Sequence, residues 1–253
     1  MIARLEPEER QLESPLGRLG PLTKLAIAVV WLLGLTTTTS VWPPLALAGL
    51  TLAAAATLGR VPMRTLVGAA LPLWAAALSV GFFNAVFAAA NVDPGAAEIA
   101  RIGALRLTET GIAGGLGLGG RIVAIAAIGV AFAQTTDSTR LADALVQQAH
   151  LPDRFAYGAL AAYQALPRLG EDLTTLRQAR RIRGLRASWH PRLLIGLLVL
   201  AIRHGDRLAL AMDARGFGSG QRSRYRVVTW TWLEAVALPV ALGLLVAVLG
   251  LAR

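Results

Sequence analysis

An arginine followed by a glycine at the end of a helix can do a specific kind of recognition chemistry. The guanidinium is a planar fork that pairs bidentately with a carboxylate. The glycine closes the helix in a left-handed conformation and lets a partner's backbone come near. The chain carries this pair twice in one basic stretch, as Ile182-Arg183-Gly184 and Ala214-Arg215-Gly216. The chemistry they suit is docking into an acidic groove of another protein. Residues for bond making and breaking are sparse. There is no cysteine, and His150, His190 and His204 stand in no metal-ligand spacing. Asp137 and Asp143 read as capping or solvated helix residues, and Glu171-Asp172 as an exposed acidic pair near a helix start, where the dipole favours it. Glu109 has no partner in spacing.

Two long helices must position the arginines. Leu169, Leu173, Leu176, Arg180 and Arg183 follow one another at steps of four, three, four and three, so one helical stripe begins as leucine and ends as arginine. Pro191 opens a second run in which Leu197, Ala201, His204, Leu208, Met212 and Arg215 share a face. This second run is expected to be a long amphipathic helix along the bilayer surface, because its apolar part, 193–202, is too short to span. Pro167 is expected to interrupt the helix before the first stripe, and Leu151-Pro152-Asp153 to separate it from a helix begun at Thr135-Thr136-Asp137-Ser138. Each tip has an ordinary explanation too. A cation near a helix C-terminus offsets the dipole by roughly 0.3–1 kcal/mol, and glycine is a common cap.

Composition places these helices beside a membrane. Of 253 residues 55% are hydrophobic and only 16% charged, with a mean hydropathy of +0.56. A soluble domain carries about a quarter charged residues. Apolar runs at 25–41, 45–58, 66–90, 111–134 and 227–251 are expected to be five transmembrane helices. Pro43-Pro44 is expected to form a tight turn between the first two. Gly114, Gly115, Gly117, Gly119 and Gly120 should let the fourth approach its neighbours closely. Asn84, Arg121 and Glu234 are the notable polar groups within the spans. The polar opening residues lack the features of a cleavable signal peptide.

Charge orders the spans. Residues 135–226 hold 15 Arg against 7 Asp+Glu, which accounts for +8 of the chain's +10. Arg4, Arg10, Arg18, Lys24, Arg60 and Arg64 lie at the other ends expected to be cytoplasmic, whereas 91–110 carries 2 Arg against 3 Asp+Glu. The positive-inside rule explains this excess without nucleic acid and puts the N-terminus and the basic block inside. The resulting organisation is an all-α integral membrane protein. It comprises an N-terminal segment 1–24, transmembrane helices within 25–134, a cytoplasmic domain 135–226 and a last transmembrane helix within 227–253.

The same residues resemble the transmembrane coupling (T) component of energy-coupling factor transporters, importers of vitamins and transition metals. The resemblance covers nearly the whole chain. Ser14-Pro15-Leu16-Gly17-Arg18-Leu19-Gly20-Pro21-Leu22-Thr23-Lys24-Leu25 looks like the family's approach to its first span, and Thr135-Thr136-Asp137 like its approach to the coupling domain. Leu166-Pro167-Arg168-Leu169 and Gln178-Ala179-Arg180-Arg181-Ile182-Arg183-Gly184 are similar to the lead-in to its first Ala-Arg-Gly motif. Ala211-Met212-Asp213-Ala214-Arg215-Gly216-Phe217-Gly218 resembles the second, and Ile182 departs from the first, standing where the family has alanine.

The resemblance implies a non-catalytic subunit in a prokaryotic plasma membrane. Two ABC-type ATPases would bind the ATP and Mg, and this chain would hold no cofactor. Arg183 and Arg215 would pair with ATPase carboxylates, with Gly184, Ala214 and Gly216 permitting the close fit and Leu173, Leu176, Arg180, Leu208 and Met212 supporting the helices. A separate substrate-binding membrane protein would choose the cargo, so cobalt, nickel, biotin and thiamine precursors all stay open. On the residues alone, an integral membrane enzyme and a stand-alone permease remain alternatives.

Overall fold

The computed structural model describes residues 13–38, 40–93, 95, 97–102, 105–185, 190–218, 224 and 226–251. It is an all-α membrane protein with one small hairpin. The helices are α1 (Pro15–Arg18), α2 (Pro21–Thr36), α3 (Trp42–Thr57), α4 (Met63–Val86), α5 (Glu109–Thr135), α6 (Ser138–Gln147), α7 (Asp153–Ile182), α8 (Pro191–Ala214) and α9 (Trp232–Gly250). The chain divides into two compact units, Met1–Leu141 with Thr229–Arg253 and Ala142–Val228, the division falling inside α6.

Within the first unit, three segments are long and apolar enough to cross a bilayer: Met63–Val92, Glu109–Thr135 and Trp232–Gly250. The expected first two spans are shorter. Both α2 and α3 have 16 residues, about 24 Å of helix against a hydrocarbon core of about 30 Å. Helix α2 stops at Thr36 because the Thr36 and Thr37 hydroxyls turn back to the carbonyls of Leu33 and Gly34, 2.7 and 2.8 Å away. That competes with continuing the helical ladder. Pro43 and Pro44 do not form the turn expected of them; they are buried in the first turn of α3. First-turn N–H groups have no intrahelical acceptor, so proline loses nothing there. The last helix begins at Trp232, leaving Val227 to Trp230 outside it.

Helix α5 is the central post. Half of its apolar window is buried, against 17% for α4 and α9. One side joins a core of Trp31, Leu35, Leu47, Ala124, Ile128 and Leu245. The other joins Ala55, Val61, Leu66, Ala70, Val130 and Ala131. Toward α4 the two backbones nearly touch. A Cβ at Gly115 would lie 2.5 Å from the Gly81 carbonyl oxygen, and one at Gly119 would lie 3.2 Å from the Ala77 carbonyl. Small residues four apart on antiparallel helices make this contact, as expected for helices packed in lipid. Gly114 faces open space and Gly120 meets Pro44 and Leu45 at ordinary distance, so those two do not serve the close approach.

The loop at 91–110 contains an antiparallel hairpin, β1 (Glu98–Ile102) with β2 (Leu105–Thr108). Arg106 pairs with Glu98 at 2.9 Å across it. Beneath the hairpin Asn91 is buried. Its amide donates to the carbonyls of Ala85 and Val86 at the end of α4, and its oxygen accepts from the Thr108 N–H and hydroxyl. Thr108 in turn caps α5 by accepting from the Gly111 N–H at 3.1 Å. One side chain therefore ties the end of one span to the start of the next.

Four polar groups near the spans make at least one hydrogen bond each, although one oxygen of Glu234 and the Arg121 Nε have none. Lys24 is not a solvated flanking charge: it is buried and donates to the Thr135 carbonyl at 2.5 Å, where a cation offsets the negative end of α5. Arg121 donates to the Thr38 carbonyl and Asn84 to the Val80 carbonyl. Glu234 is 2% exposed, accepts from the Thr231 hydroxyl at 3.2 Å, and leaves room only for a glycine at position 20.

Candidate functional site

The candidate site lies in the second unit, on α7 and α8. Helix α7 runs unbroken for 30 residues, with Pro167 inside it. The expected interruption does not occur. Proline removes one backbone donor, and the long helix retains its remaining ladder on both sides. Pro152 rather than Asp153 takes the cap position, and Asp153 sits in the first turn, where its charge favours the helix dipole. Leu169, Leu173, Leu176 and Arg180 are half-buried, as the stripe predicts, while the residues between them are mostly exposed.

The helix ends in a Schellman motif. The Gly184 N–H donates to the Arg181 carbonyl at 3.0 Å and the Leu185 N–H to the Arg180 carbonyl at 3.1 Å, with Gly184 at φ +76°. Arg183 is the last residue before the turn and is exposed; Ile182 beside it is 87% exposed. An isoleucine with so much of its surface in water is not held by the fold.

Helix α8 closes the same way. The Gly216 N–H donates to the Asp213 carbonyl at 2.8 Å and the Phe217 N–H to the Met212 carbonyl at 2.9 Å, with Gly216 at φ +65°. Arg215 therefore occupies the position of Arg183, and Ala214 that of Ile182. Leu197, Ala201, His204, Leu208 and Met212 form the half-buried stripe. At the other end the His190 ring accepts from the Arg192 N–H at 3.1 Å, so this histidine is a helix cap.

The two helices are antiparallel. Gly196 of α8 lies against Leu176 of α7, where a Cβ would be 3.4 Å from the leucine methyl. Arg154, near the start of α7, donates to the Gly218 carbonyl just past the end of α8 and fills the space a side chain at Gly218 would need. The Arg183 end and the Arg215 end consequently lie at opposite ends of the pair. The 24 residues of α8 separate them by roughly 36 Å at 1.5 Å per residue.

Three residues that support this arrangement were not singled out as doing so. Arg154 belongs to no repeating pattern. Gln147 accepts from the Val228 N–H at 2.9 Å and donates to the Arg226 carbonyl at 2.8 Å, so its amide pairs with the connector as another strand would. Asp143, read as solvated, is buried and accepts from the Tyr157 hydroxyl at 2.7 Å. Burial, and next the Asp143 carboxylate, push the Tyr157 phenol up to about 12. Such pairings join residues far apart in the chain and leave no local periodicity.

Residues 13–227 match the family model CbiQ, described as cobalt transport protein. The chain is 28% identical over 155 residues to the energy-coupling factor transporter transmembrane protein EcfT of Limosilactobacillus fermentum, covering 54% of this chain and 58% of that protein. It is 28% identical over 171 residues to the EcfT of Listeria innocua, covering 60% and 64%. The EcfT of Exiguobacterium sibiricum is 37% identical over 92 residues, covering 32% and 35%. The matches thus reach less than two thirds of the length of these relatives. The matched range holds α1 to α8 with the two arginine–glycine ends and stops short of α9, and the chain belongs to the CbiQ family.

Proposed function

We propose that the chain is the transmembrane coupling subunit of an energy-coupling factor importer for a vitamin or a transition metal. The observation that carries this reading is the pair of identical Schellman-closed ends, Arg183-Gly184 and Arg215-Gly216, set one helix length apart. Two ends separated by roughly 36 Å address two sockets. Each would take one ABC-type ATPase subunit, with the guanidinium forked onto a carboxylate and the glycine admitting the groove wall.

ATP and Mg then belong to those ATPases, and this subunit hydrolyses nothing. Closure of the ATPase pair would move the two ends relative to each other. The leucine stripes would carry that motion to a separate substrate-binding membrane protein. The N-terminus and the second unit would face the cytoplasm, where the arginine excess belongs.

The test is co-purification and transport with Arg215→Ala and Arg183→Ala. Losing one partner of a desolvated charge pair costs about 2–5 kcal/mol, so each variant should release ATPase or uncouple hydrolysis from uptake. Full ATPase retention together with full uptake in both variants would refute the docking role.

A further inference from the structure

Helices α2 and α3 stop partway along α5, and the place where they stop is polar. At one end of α5, Lys24 donates to the Thr135 carbonyl, and a Cβ at Gly59 would lie 3.1 Å from the Thr135 methyl. Fifteen residues back along α5, a Cβ at Gly120 would lie 3.6 Å from Pro44, which is fifteen residues before Gly59. Arg121 meets the Thr38 carbonyl at the same level. The three helices therefore run side by side for about 22 Å, and the loop joining α2 to α3 lies level with Arg121. Helix α5 continues twelve residues beyond Arg121 to Glu109, about 18 Å. Along that stretch α4 accompanies it, with Gly81 against Gly115 and Ala85 against Gly111.

The magnitudes put this loop inside the membrane. Helix α5 has 27 residues, about 40 Å, which is roughly 10 Å more than the hydrocarbon core. Were all of that excess to project at the Glu109 end, the loop would still lie about 8 Å inside the core. Leu78, Phe82 and Phe83, on the part of α4 that continues past the loop, are exposed, as side chains facing lipid are.

The loop itself is unsuited to lipid. Residues 36–40 are four threonines and a serine. Thr37, Thr38, Ser40 and Val41 stand outside any helix, and Thr36 and Thr37 are exposed. Irregular backbone at membrane depth persists only where protein buries it or water bathes it. The Arg121 Nε is buried and has no protein partner, and a buried donor of this kind is satisfied by water. Trp42, in the first turn of α3, is 78% exposed, and tryptophan gathers where hydrocarbon meets water.

We infer that Thr36 and Thr37, with Arg121 at the adjoining Thr38, floor a water-filled recess within the bilayer, open on the side of the β1–β2 hairpin. Its ligand is water, drawn in by hydroxyls and a guanidinium that hydrocarbon could not solvate. The recess is independent of ATPase docking, so either can fail alone.

The chain has no cysteine, so a single introduced cysteine can carry a nitroxide without competing sites. Thr36→Cys, Thr37→Cys and Leu78→Cys in the full chain are placed in phosphatidylcholine nanodiscs. Collision rates are then measured with water-soluble nickel ethylenediaminediacetate and with lipid-soluble oxygen. All three positions are exposed, so no packed neighbour is disturbed. Leu78 follows Ala77, which meets Gly119, so it lies no deeper than the loop. Depth alone would make it at least as wet. The nickel complex should collide about tenfold more often at positions 36 and 37 than at 78, with oxygen in the opposite order. The inference is overturned if 36 and 37 show the oxygen-dominated pattern of lipid, or if position 78 is as accessible to nickel as they are.

Discussion

The pairs α4/α5 and α7/α8 are both antiparallel, but they are built on different physics. In the first, glycine and alanine bring backbones to touching distance, and α5 buries twelve residues. In the second, Leu176 packs against Gly196, and α7 and α8 bury one residue each, Ala156 and Leu193. A pair locked by backbone contact has no freedom to repack. A pair held by a stripe of flexible side chains retains little burial and can change its angle at low cost. The first is a rigid post and the second a loosely buried pair.

Equivalent glycines give the sharpest test. Gly115→Ala should lower stability by about 3 kcal/mol, because the new methyl meets the Gly81 carbonyl and the Ala85 backbone, neither of which can yield. Gly196→Ala meets only Leu176 at ordinary distance and should be neutral or stabilising by up to about 1 kcal/mol from helix propensity. Thermal midpoints in detergent compare them directly, and equal losses would break the distinction.

The polar clamps should follow the same order. Asn91→Ala strips partners from two carbonyls and from buried Thr108, and should cost about 2 kcal/mol. Gln147→Ala, at a half-buried site, should cost about 1 kcal/mol. Denaturant titration of the two variants measures the gap. Gly184→Ala and Gly216→Ala should each cost about 1 kcal/mol, since both glycines are left-handed. Local hydrogen exchange at each helix end would show it, and unequal losses would mean that the two ends are not equivalent.

The smallest effect is a pH dependence. Tyr157 holds its proton up to about 12, above the usual phenol value of 10.0. The folded form therefore binds the proton more tightly than the unfolded form. Its contribution is complete below about 10 and falls away as pH rises toward 12. The difference in midpoint between wild type and Tyr157→Phe, followed from pH 9 to 12, should shrink across that window.

The two arginine–glycine ends share a backbone but not a charge pattern. Arg180, Arg181 and Arg183 surround the first, whereas Asp213 precedes Arg215 in the second. Asp213 stands at the negative end of its helix, where the dipole disfavours it. The isoleucine at 182 is exposed, so its bulk costs the fold little.

Much of this molecule was legible from one-dimensional pattern. The stripes fall on half-buried faces from Leu169 to Arg180 and from Leu197 to Met212, because helical period alone assigns a face, and each ends in an exposed arginine. The turns at Gly184 and Gly216 are left-handed because a residue without Cβ adopts that conformation at low cost. Proline was misread where position within the helix mattered. Pro43 and Pro44 sit in a first turn, where no donor is missed, and Pro167 sits in a helix long enough to carry it. The hairpin of Glu98–Ile102 with Leu105–Thr108 escaped because strands of five and four residues are too short for a period of two to stand out.

Composition, period and caps by themselves determined the membrane class, the two long helices and the glycine turns that close them, because each depends on neighbours within a few residues. Tertiary structure alone decided that Lys24 is buried on the end of α5 and that Arg154 meets Gly218. It also decided that the two tips point to opposite ends of one pair. Those facts depend on which distant surfaces pack together, and packing is chosen by the shape of the whole chain.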